Sequence, residues 1–260
     1  MTTAGIDIGA KLVKVLILRD REVLARAQEP VGFEPLVAAE RAFSQALKQS
    51  GLSEKDVEVV YATGAGRKVA PYASKSVTEV TAAAKGVVYY HPSVRTIIEV
   101  GAEEGRAVKC DEKGKVQDFA INEKCAAGAG SFTEAMARAL ELDLEAFGKI
   151  SLESTKAIPM NAQCAVFAES EVVSLVHAKT PKPDIARAVH DAVASRIVSM
   201  VRRVGINKDI ALVGGVSYNP GFVDSLTRGL ETEVIIPDNA EYIGALGAAV
   251  AAGASLQKST

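Results

Sequence analysis

Acidic and glycine residues recur at two strand ends of this sequence, in a pattern suited to phosphate groups and a bound cation. The segment Ile6-Asp7-Ile8-Gly9-Ala10 aligns without a gap on Ile98-Glu99-Val100-Gly101-Ala102. In each copy an acidic residue ends an apolar strand, and the glycine allows a tight turn whose backbone N–H groups can approach a ligand. The paired motif predicts a nucleotide site, although acidic strand ends that are merely solvated are the simpler alternative.

Two further features fit phosphate and base recognition. Lys14 returns on the strand after the first turn and could meet a phosphate, although a surface lysine is equally compatible with its position. Leu212-Val213-Gly214-Gly215-Val216 is a buried strand that runs into two glycines before a helix. Glycines without side chains let the backbone lie against a base and ribose, whereas a lone Gly-Gly turn often binds nothing.

Cys125 and Cys164 are the residues that could hold a metal. They are too far apart for a CxxC hairpin, and each precedes a predicted helix whose positive end favours a thiolate. Two thiolates per chain become four at a twofold dimer axis, which suits either a [4Fe–4S] cluster or zinc. Packing as small hydrophobic residues is the third possibility. Cys110 matches Leu18 in the repeat, and we interpret it as a core residue.

The composition excludes several classes of protein. The chain has 260 residues, of which 48% are apolar and 24% charged, with 30 Lys+Arg against 32 Asp+Glu. These values are typical of a globular protein, and a net charge of −2 offers no basic face for nucleic acid or an anionic membrane. The N-terminus lacks the pattern of a secretory signal, and three cysteines cannot build a disulfide framework. We therefore expect a cytoplasmic protein without nucleic acid or membrane partners.

An internal repeat in the sequence predicts the strands and helices that position the candidate site residues. Each copy is predicted to form strand, glycine turn, strand, polar turn, strand, followed by helices. We expect two lobes around a nucleotide cleft, the first over 1–93 with about 243–260 and the second over 94–242. Other predicted elements are helices over 33–51, 78–90, 130–142, 165–177, 184–204 and 240–252, and strands over 57–63, 209–213 and 233–236.

The motifs together resemble a known superfamily. Asp7-x-Gly9 with Lys14, Glu99-x-Gly101 and the 213–216 segment are similar to the phosphate 1, phosphate 2 and adenosine motifs of actin-like ATPases, which include sugar kinases, Hsp70 and actin. The cysteine segments 122–130 and 164–172 closely resemble the iron–sulfur ATPase activators of 2-hydroxyacyl-CoA dehydratases and the ATPase subunits of benzoyl-CoA reductases. The resemblance spans essentially the whole chain, including the 62–67 segment and the 244–247 tail.

The resemblance implies an α/β, actin-like (ribonuclease H-like) duplicated fold that binds ATP or ADP with Mg²⁺. It also implies one [4Fe–4S] cluster per dimer, held by Cys125 and Cys164, in a homodimer or a heterodimer with a homologous subunit. Ferredoxin or flavodoxin would supply the electron, and a CoA-thioester dehydratase or aromatic-CoA reductase would accept it. The expected catalytic residues are Asp7, Glu99 and Glu103. The expected nucleotide-binding residues are Gly9, Ala10, Lys11, Lys14, Gly101, Ala102, Gly128, Gly130, Gly214, Gly215 and Val216.

This sequence departs from the dehydratase activators at two points. Glu103 stands where they carry a water-positioning glutamine, and Ala10 stands where a hydroxyl residue is usual in the first phosphate turn. Two other functions stay open at this point. A small-molecule kinase, for example of an amino sugar, would need a substrate pocket for which the chain leaves little room, and a nucleotide-binding regulator could hold structural zinc instead of a cluster.

Overall fold

The chain forms a mixed α/β structure, which a computed structural model describes for residues 1–122, 130–160 and 165–257. The strands are β1 (Thr2–Ile8), β2 (Leu12–Arg19), β3 (Glu22–Pro30), β4 (Val59–Thr63), β5 (Lys75–Ser76), β6 (Thr96–Val100), β7 (Gly105–Cys110), β8 (Val116–Asn122) and β9 (Ile210–Val213). The helices are α1 (Pro35–Ser50), α2 (Glu79–Tyr90), α3 (Gly130–Ala139), α4 (Leu144–Ser151), α5 (Ala165–His177), α6 (Lys182–Val204), α7 (Pro220–Leu230) and α8 (Ile243–Leu256).

The predicted duplication is confirmed, since β1–β3 and β6–β8 follow the same strand and turn order. One predicted strand is wrong: within 233–236, pairing is limited to a parallel bridge between Ile235 and Ala211. Pro237 follows this segment and has no N–H to extend the pairing.

Helix α4 was not predicted, although Asp143 is a recognisable start signal whose carboxylate accepts a hydrogen bond from the Ala146 N–H at 2.7 Å.

The chain divides into two compact units, of which the first comprises Met1–Ile97, Val108–Asp118 and Pro237–Thr260. Its sheet has the order β3-β2-β1-β4-β5. Strands β1, β2 and β3 pair antiparallel, whereas β4 pairs parallel to β1. One face of β1 packs its apolar side chains with those of α1, and Ala4, Ile6 and Phe43 belong to this core. The alternate residues of β1 face α8, because successive side chains of a strand point to opposite faces.

Helix α8 contacts its neighbours in the first unit through bare backbone. A Cβ atom added at Gly5 of β1 would lie 1.8 Å from the carbonyl oxygen of Ala245, and one added at Gly247 would lie 1.8 Å from that of Ala82 in α2. Real Cβ atoms do not approach this closely, so these two positions require glycine. The close approach brings the first turn of α8 to the end of β1, where Asp7 lies.

The second unit comprises Ile98–Ala107 and Phe119–Ile236. The second sheet of the chain has the order β8-β7-β6-β9. The core of this unit includes Phe132, Phe147 and Phe222, which come from α3, α4 and α7. His190 of α6 is fully buried beside Phe147, and burial lowers its pKa to about 4, so it is a neutral core residue. None of the described helices has the length and apolar character needed to cross a membrane.

Gly247→Ala should lower the free energy of unfolding by about 2 kcal/mol or more, because the new methyl group must push α8 away from α2. Gly253→Ala on the same helix is the matched control. A Cβ atom there would meet the flexible end of the Met1 side chain at 3.2 Å, so that variant should be neutral or slightly more stable. Urea unfolding measures both variants, and equal stabilities would contradict the backbone contact.

Candidate functional site

Both copies of the repeat close their first turn with the same hydrogen bond. The N–H of Gly9 donates to the carbonyl oxygen of Leu12 at 3.0 Å, and the N–H of Gly101 donates to that of Glu104 at 2.9 Å. In the first unit, antiparallel pairing places Lys14 of β2 directly opposite Asp7 of β1. The repeat read from the sequence is therefore also a repeat of backbone geometry.

In the first unit, Asp7 is paired with the lysine predicted to accompany it. Lys14 Nζ lies 3.4 Å from Asp7 Oδ2, and both side chains are mostly buried, with 15% and 13% exposed. Lys14 is thus not the surface lysine of the simpler interpretation. Ala10 and Lys11 are exposed in the turn beyond Gly9. The separation of 3.4 Å exceeds the usual donor–acceptor distance of about 2.7–3.2 Å, so the Asp7 carboxylate is weakly held.

The second unit contains a corresponding pair of opposite charge. Arg106, which aligns with Lys14, donates to Glu99 Oε2 at 3.0 Å, and its other terminal nitrogen pairs with Glu104. The predicted catalytic residue Glu103 is exposed in the same turn. Arg106 therefore holds Glu99 in a close ion pair, whereas the longer contact of Lys14 leaves the Asp7 carboxylate better suited to bind a cation.

Glycine residues surround the Asp7 carboxylate. A Cβ atom at Gly64 would lie 2.5 Å from Asp7 Oδ1, and one at Gly244 would lie 2.9 Å from Asp7 Oδ2. Gly64 has a φ of 89°, and Arg67 fixes its turn by donating to its carbonyl oxygen at 3.0 Å. The first turn of α8 also brings a positive helix end to the carboxylate. Sequence reasoning did not place these segments at the site, although both were part of the family resemblance.

The third predicted turn contains two glycines with different roles. Gly214 has a φ of 91°, and a Cβ atom there would lie 2.4 Å from the carbonyl oxygen of Val100, so neighbouring backbone already requires this glycine. A Cβ atom at Gly215 would meet nothing within 4 Å. Val216 is buried and would contact a Cβ atom at Gly130 at 3.0 Å. Of the two glycines, Gly215 is thus the one with space on its outer side for a ligand to approach its backbone.

The start of helix α3 is hydrogen-bonded to the second turn. The N–H of Gly130 donates to the carbonyl oxygen of Gly101 at 2.9 Å, and the N–H of Ser131 donates to that of Ala102 at 2.8 Å. These bonds satisfy two of the donors that a helix N-terminus leaves without an intrahelical acceptor. Val216 also lies against Gly130. The structure therefore brings together four predicted site residues of this unit, namely Gly101, Ala102, Gly130 and Val216.

Of the three cysteines, Cys110 lies within the described part of the chain. It is fully buried on β7, and burial raises its pKa to about 11, so it carries a neutral thiol as the core interpretation predicted. Cys125, Gly128 and Cys164 lie outside the described residues. Among the residues that are described, no group of three or more His, Cys, Asp or Glu side chains could hold a metal ion.

Comparison with known proteins agrees with the motifs. Residues 4–252 match the sequence profile of the BadF/BadG/BcrA/BcrD ATPase family. The activator of lactoyl-CoA dehydratase from Anaerotignum propionicum is 38% identical over 259 residues, which cover 99% of this chain and 100% of that protein. One of the subunits of benzoyl-CoA reductase from Thauera aromatica is 32% identical over 260 residues, which cover 95% of this chain and 92% of that protein. The resemblance identified from the motifs is confirmed.

Solved structures show the same fold. The activator of 2-hydroxyisocaproyl-CoA dehydratase from Clostridium difficile, solved with bound ADPNP, matches with a TM-score of 0.92 and 35% identity, covering 100% of this chain and 97% of that one. A ROK hexokinase from Thermus thermophilus matches with a TM-score of 0.55 at 14% identity, covering 99% of this chain and 100% of that one. The second match shows the fold alone. The predicted actin-like α/β fold is confirmed.

Arg106→Met should lower the free energy of unfolding by about 2 kcal/mol or more, because it removes the positive charge that Glu99 and Glu104 share. Adding Glu99→Gln should recover part of the loss, since one of the two carboxylates disappears. Arg41→Met, at an exposed position of α1, is the matched control. If chemical denaturation finds the same cost at Arg106 as at Arg41, the ion pairs do not stabilise this turn.

Proposed function

We propose, since this chain belongs to the BadF/BadG/BcrA/BcrD ATPase family, that it is an ATP-driven one-electron donor to a CoA-thioester dehydratase or an aromatic-CoA reductase. The observation that carries the proposal is the pair of hydrogen bonds from Gly130 and Ser131 to the second glycine turn. They join a turn of phosphate-binding type to the helix that follows the Cys125 segment. These two hydrogen bonds would thus connect a nucleotide at the turn with a redox centre at Cys125.

The nucleotide would be bound by the backbone and charges of the glycine turns. Lys14 would move its charge to a phosphate oxygen, and the N–H groups beside Gly9 and Gly101 would face the phosphates. Gly215 would lie against the adenosine. The Asp7 carboxylate is an oxygen donor of the kind that Mg²⁺ prefers, and it lies in a cradle of glycine backbone that added side chains would fill. Bound Mg²⁺ would neutralise charge on the phosphates of ATP.

Cys125 and Cys164 would hold the cluster together with the same residues of a second chain. Two thiolates per chain cannot complete a four-cysteine ligand set, so the proposal requires a dimer. Helix α5 begins at Ala165, directly after Cys164, and it exposes Phe167, Val173 and Val176. These apolar side chains are consistent with a surface that another protein chain covers.

In the proposed cycle, ferredoxin or flavodoxin passes one electron to the oxidised protein, and the reduced protein passes it to its dehydratase or reductase partner. ATP and water are converted to ADP and phosphate to make that transfer favourable. Each ~60 mV of one-electron potential corresponds to ~1.4 kcal/mol, so a gap of several hundred millivolts needs such a coupled reaction. The Gly101–Gly130 hydrogen bond would connect the two events, because it joins the second turn to the helix that follows the Cys125 segment.

Gly215→Ala should leave folding intact and weaken ADP binding about tenfold, because the added methyl group would occupy the space that the adenosine needs. Isothermal titration calorimetry measures the affinity, and thermal unfolding without nucleotide confirms the fold. The Gly253→Ala variant is the control for introducing a methyl group elsewhere. Unchanged ADP affinity in the Gly215 variant would remove this turn from the nucleotide site.

Cys125→Ser and Cys164→Ser should each abolish the absorbance near 400 nm of anaerobically purified protein and weaken the dimer, because shared ligands make cluster binding part of assembly. Cys110→Ser is the matched control, since that thiol is buried and neutral and should affect neither property. Iron, sulfide and zinc counts distinguish a cluster from a zinc site. A complete cluster in a wild-type monomer would exclude the shared site.

The nucleotide should change the redox potential of the protein if the turn and the cysteine segment are coupled. A coupling of about 1–3 kcal/mol corresponds to a shift of about 40–130 mV between the forms with ADP and with a non-hydrolysable ATP analogue. Redox titration followed by electron paramagnetic resonance measures this difference. Equal potentials in the two forms would leave a nucleotide-binding protein whose cluster is structural.

A further inference from the structure

Thr63, the last residue of β4, has a buried hydroxyl group without a hydrogen-bond partner among the described residues. The side chain is 1% exposed, and its Oγ1 atom makes no hydrogen bond within the described part of the chain. A buried hydroxyl normally has a hydrogen-bond partner, because leaving it without one costs free energy. An unpaired hydroxyl beside a candidate binding site indicates that its hydrogen bond forms in another state of the protein.

The fold places Thr63 beside Asp7. The two residues are register partners in the parallel pairing of β1 and β4, so their side chains emerge on the same face of the sheet. A Cβ atom at Gly244 would lie 2.9 Å from Asp7 Oδ2 and 3.7 Å from Thr63 Cγ2, which shows that both side chains converge on the first turn of α8. The position of Thr63 is also well fixed, because the Arg67 side chain anchors the Gly64 carbonyl and contacts Glu79 at 3.1 Å.

Asp7 would lose a hydrogen-bond donor if Lys14 turned toward the phosphate of a bound nucleotide. Its contact with Lys14 is already long at 3.4 Å, and Lys14 is the group that would turn toward a phosphate. The first phosphate turn cannot supply a hydroxyl, because Ala10 occupies the position where one is usual. Thr63 carries a hydroxyl on the neighbouring strand, and rotation about its side-chain bond can direct that group toward the carboxylate.

We propose that Thr63 is a positioning residue that donates a hydrogen bond to Asp7 in the nucleotide-bound state. The bond would hold the carboxylate in the orientation that binds the Mg²⁺ of Mg-ADP or Mg-ATP after Lys14 has moved to the phosphate. Thr63 itself touches neither the cation nor the phosphate in this arrangement. The inference rests on the proposed nucleotide-binding function and adds a residue that the phosphate motifs do not contain.

The test compares Thr63→Val, which keeps the shape and removes the hydroxyl, with Thr63→Ser, which keeps the hydroxyl. Calorimetry measures the affinity for ADP with excess Mg²⁺ and with EDTA, and thermal unfolding is recorded without nucleotide. We expect the valine variant to bind Mg-ADP about tenfold more weakly and metal-free ADP like the wild type. Its melting temperature should be unchanged or higher, because the removed hydroxyl has no partner among the described residues. The serine variant should restore Mg-ADP affinity to within about threefold.

Three outcomes would overturn the proposal in different ways. Equal Mg-ADP affinities in the wild type and the valine variant would show that Thr63 does not position Asp7. A lower melting temperature for the valine variant, with equal losses of Mg-ADP and metal-free ADP binding, would assign Thr63 a structural role. Absence of ADP binding by the wild type would instead refute the nucleotide-binding function, and the Thr63 inference with it.

Discussion

Direct backbone contact between α8 and its neighbours is the constraint on which the first unit depends. Gly5 and Gly247 permit this contact, because any larger residue would place a Cβ atom inside a backbone carbonyl of the adjacent element. The contact fixes the depth at which α8 lies on the sheet, and so it fixes the distance of its first turn from Asp7. The positive end of the helix and the carboxylate are brought together by packing.

The second unit uses backbone contacts in a comparable way but for a different purpose. Gly214 allows β9 to lie against the end of β6, and the amides of Gly130 and Ser131 bond to the turn that follows β6. The turn is therefore held from two sides by elements that are distant in sequence. The two bonds, at 2.8 and 2.9 Å, connect the backbone of this turn directly to the first residues of α3.

The two copies of the repeat share a geometry but differ in charge. Arg106 compensates Glu99 and Glu104 at close range, whereas Lys14 contacts Asp7 at a longer distance. The duplication has thus produced one turn in which an arginine binds two carboxylates closely and one in which a lysine contacts a single carboxylate at a longer distance. This asymmetry is the reason that the proposed cation site is at Asp7, and the close ion pair with Arg106 gives Glu99 a stabilising role in its own turn.

The sequence by itself determined the features that depend on local patterns. The repeat, the order of its strands and turns, most helices and the buried position of Cys110 follow from residue periodicity and glycine spacing, which act over a few residues. The cysteine motifs likewise identified the family, because they combine several residue types at fixed spacing. Helix α4 could also have been found, since Asp143 is a local start signal.

Only the tertiary structure decided which of these features lie together. Thr63 lies opposite Asp7 through the pairing of two strands that are far apart in the chain, and the packing of α8 brings Gly244 to the carboxylate that Gly64 also flanks. The two adjacent glycines also differ for a tertiary reason. The Val100 carbonyl leaves no room for a side chain at Gly214, whereas Gly215 faces open space. Ile235 looked like part of a strand but forms a single bridge to Ala211, because Pro237 has no N–H with which to extend the pairing.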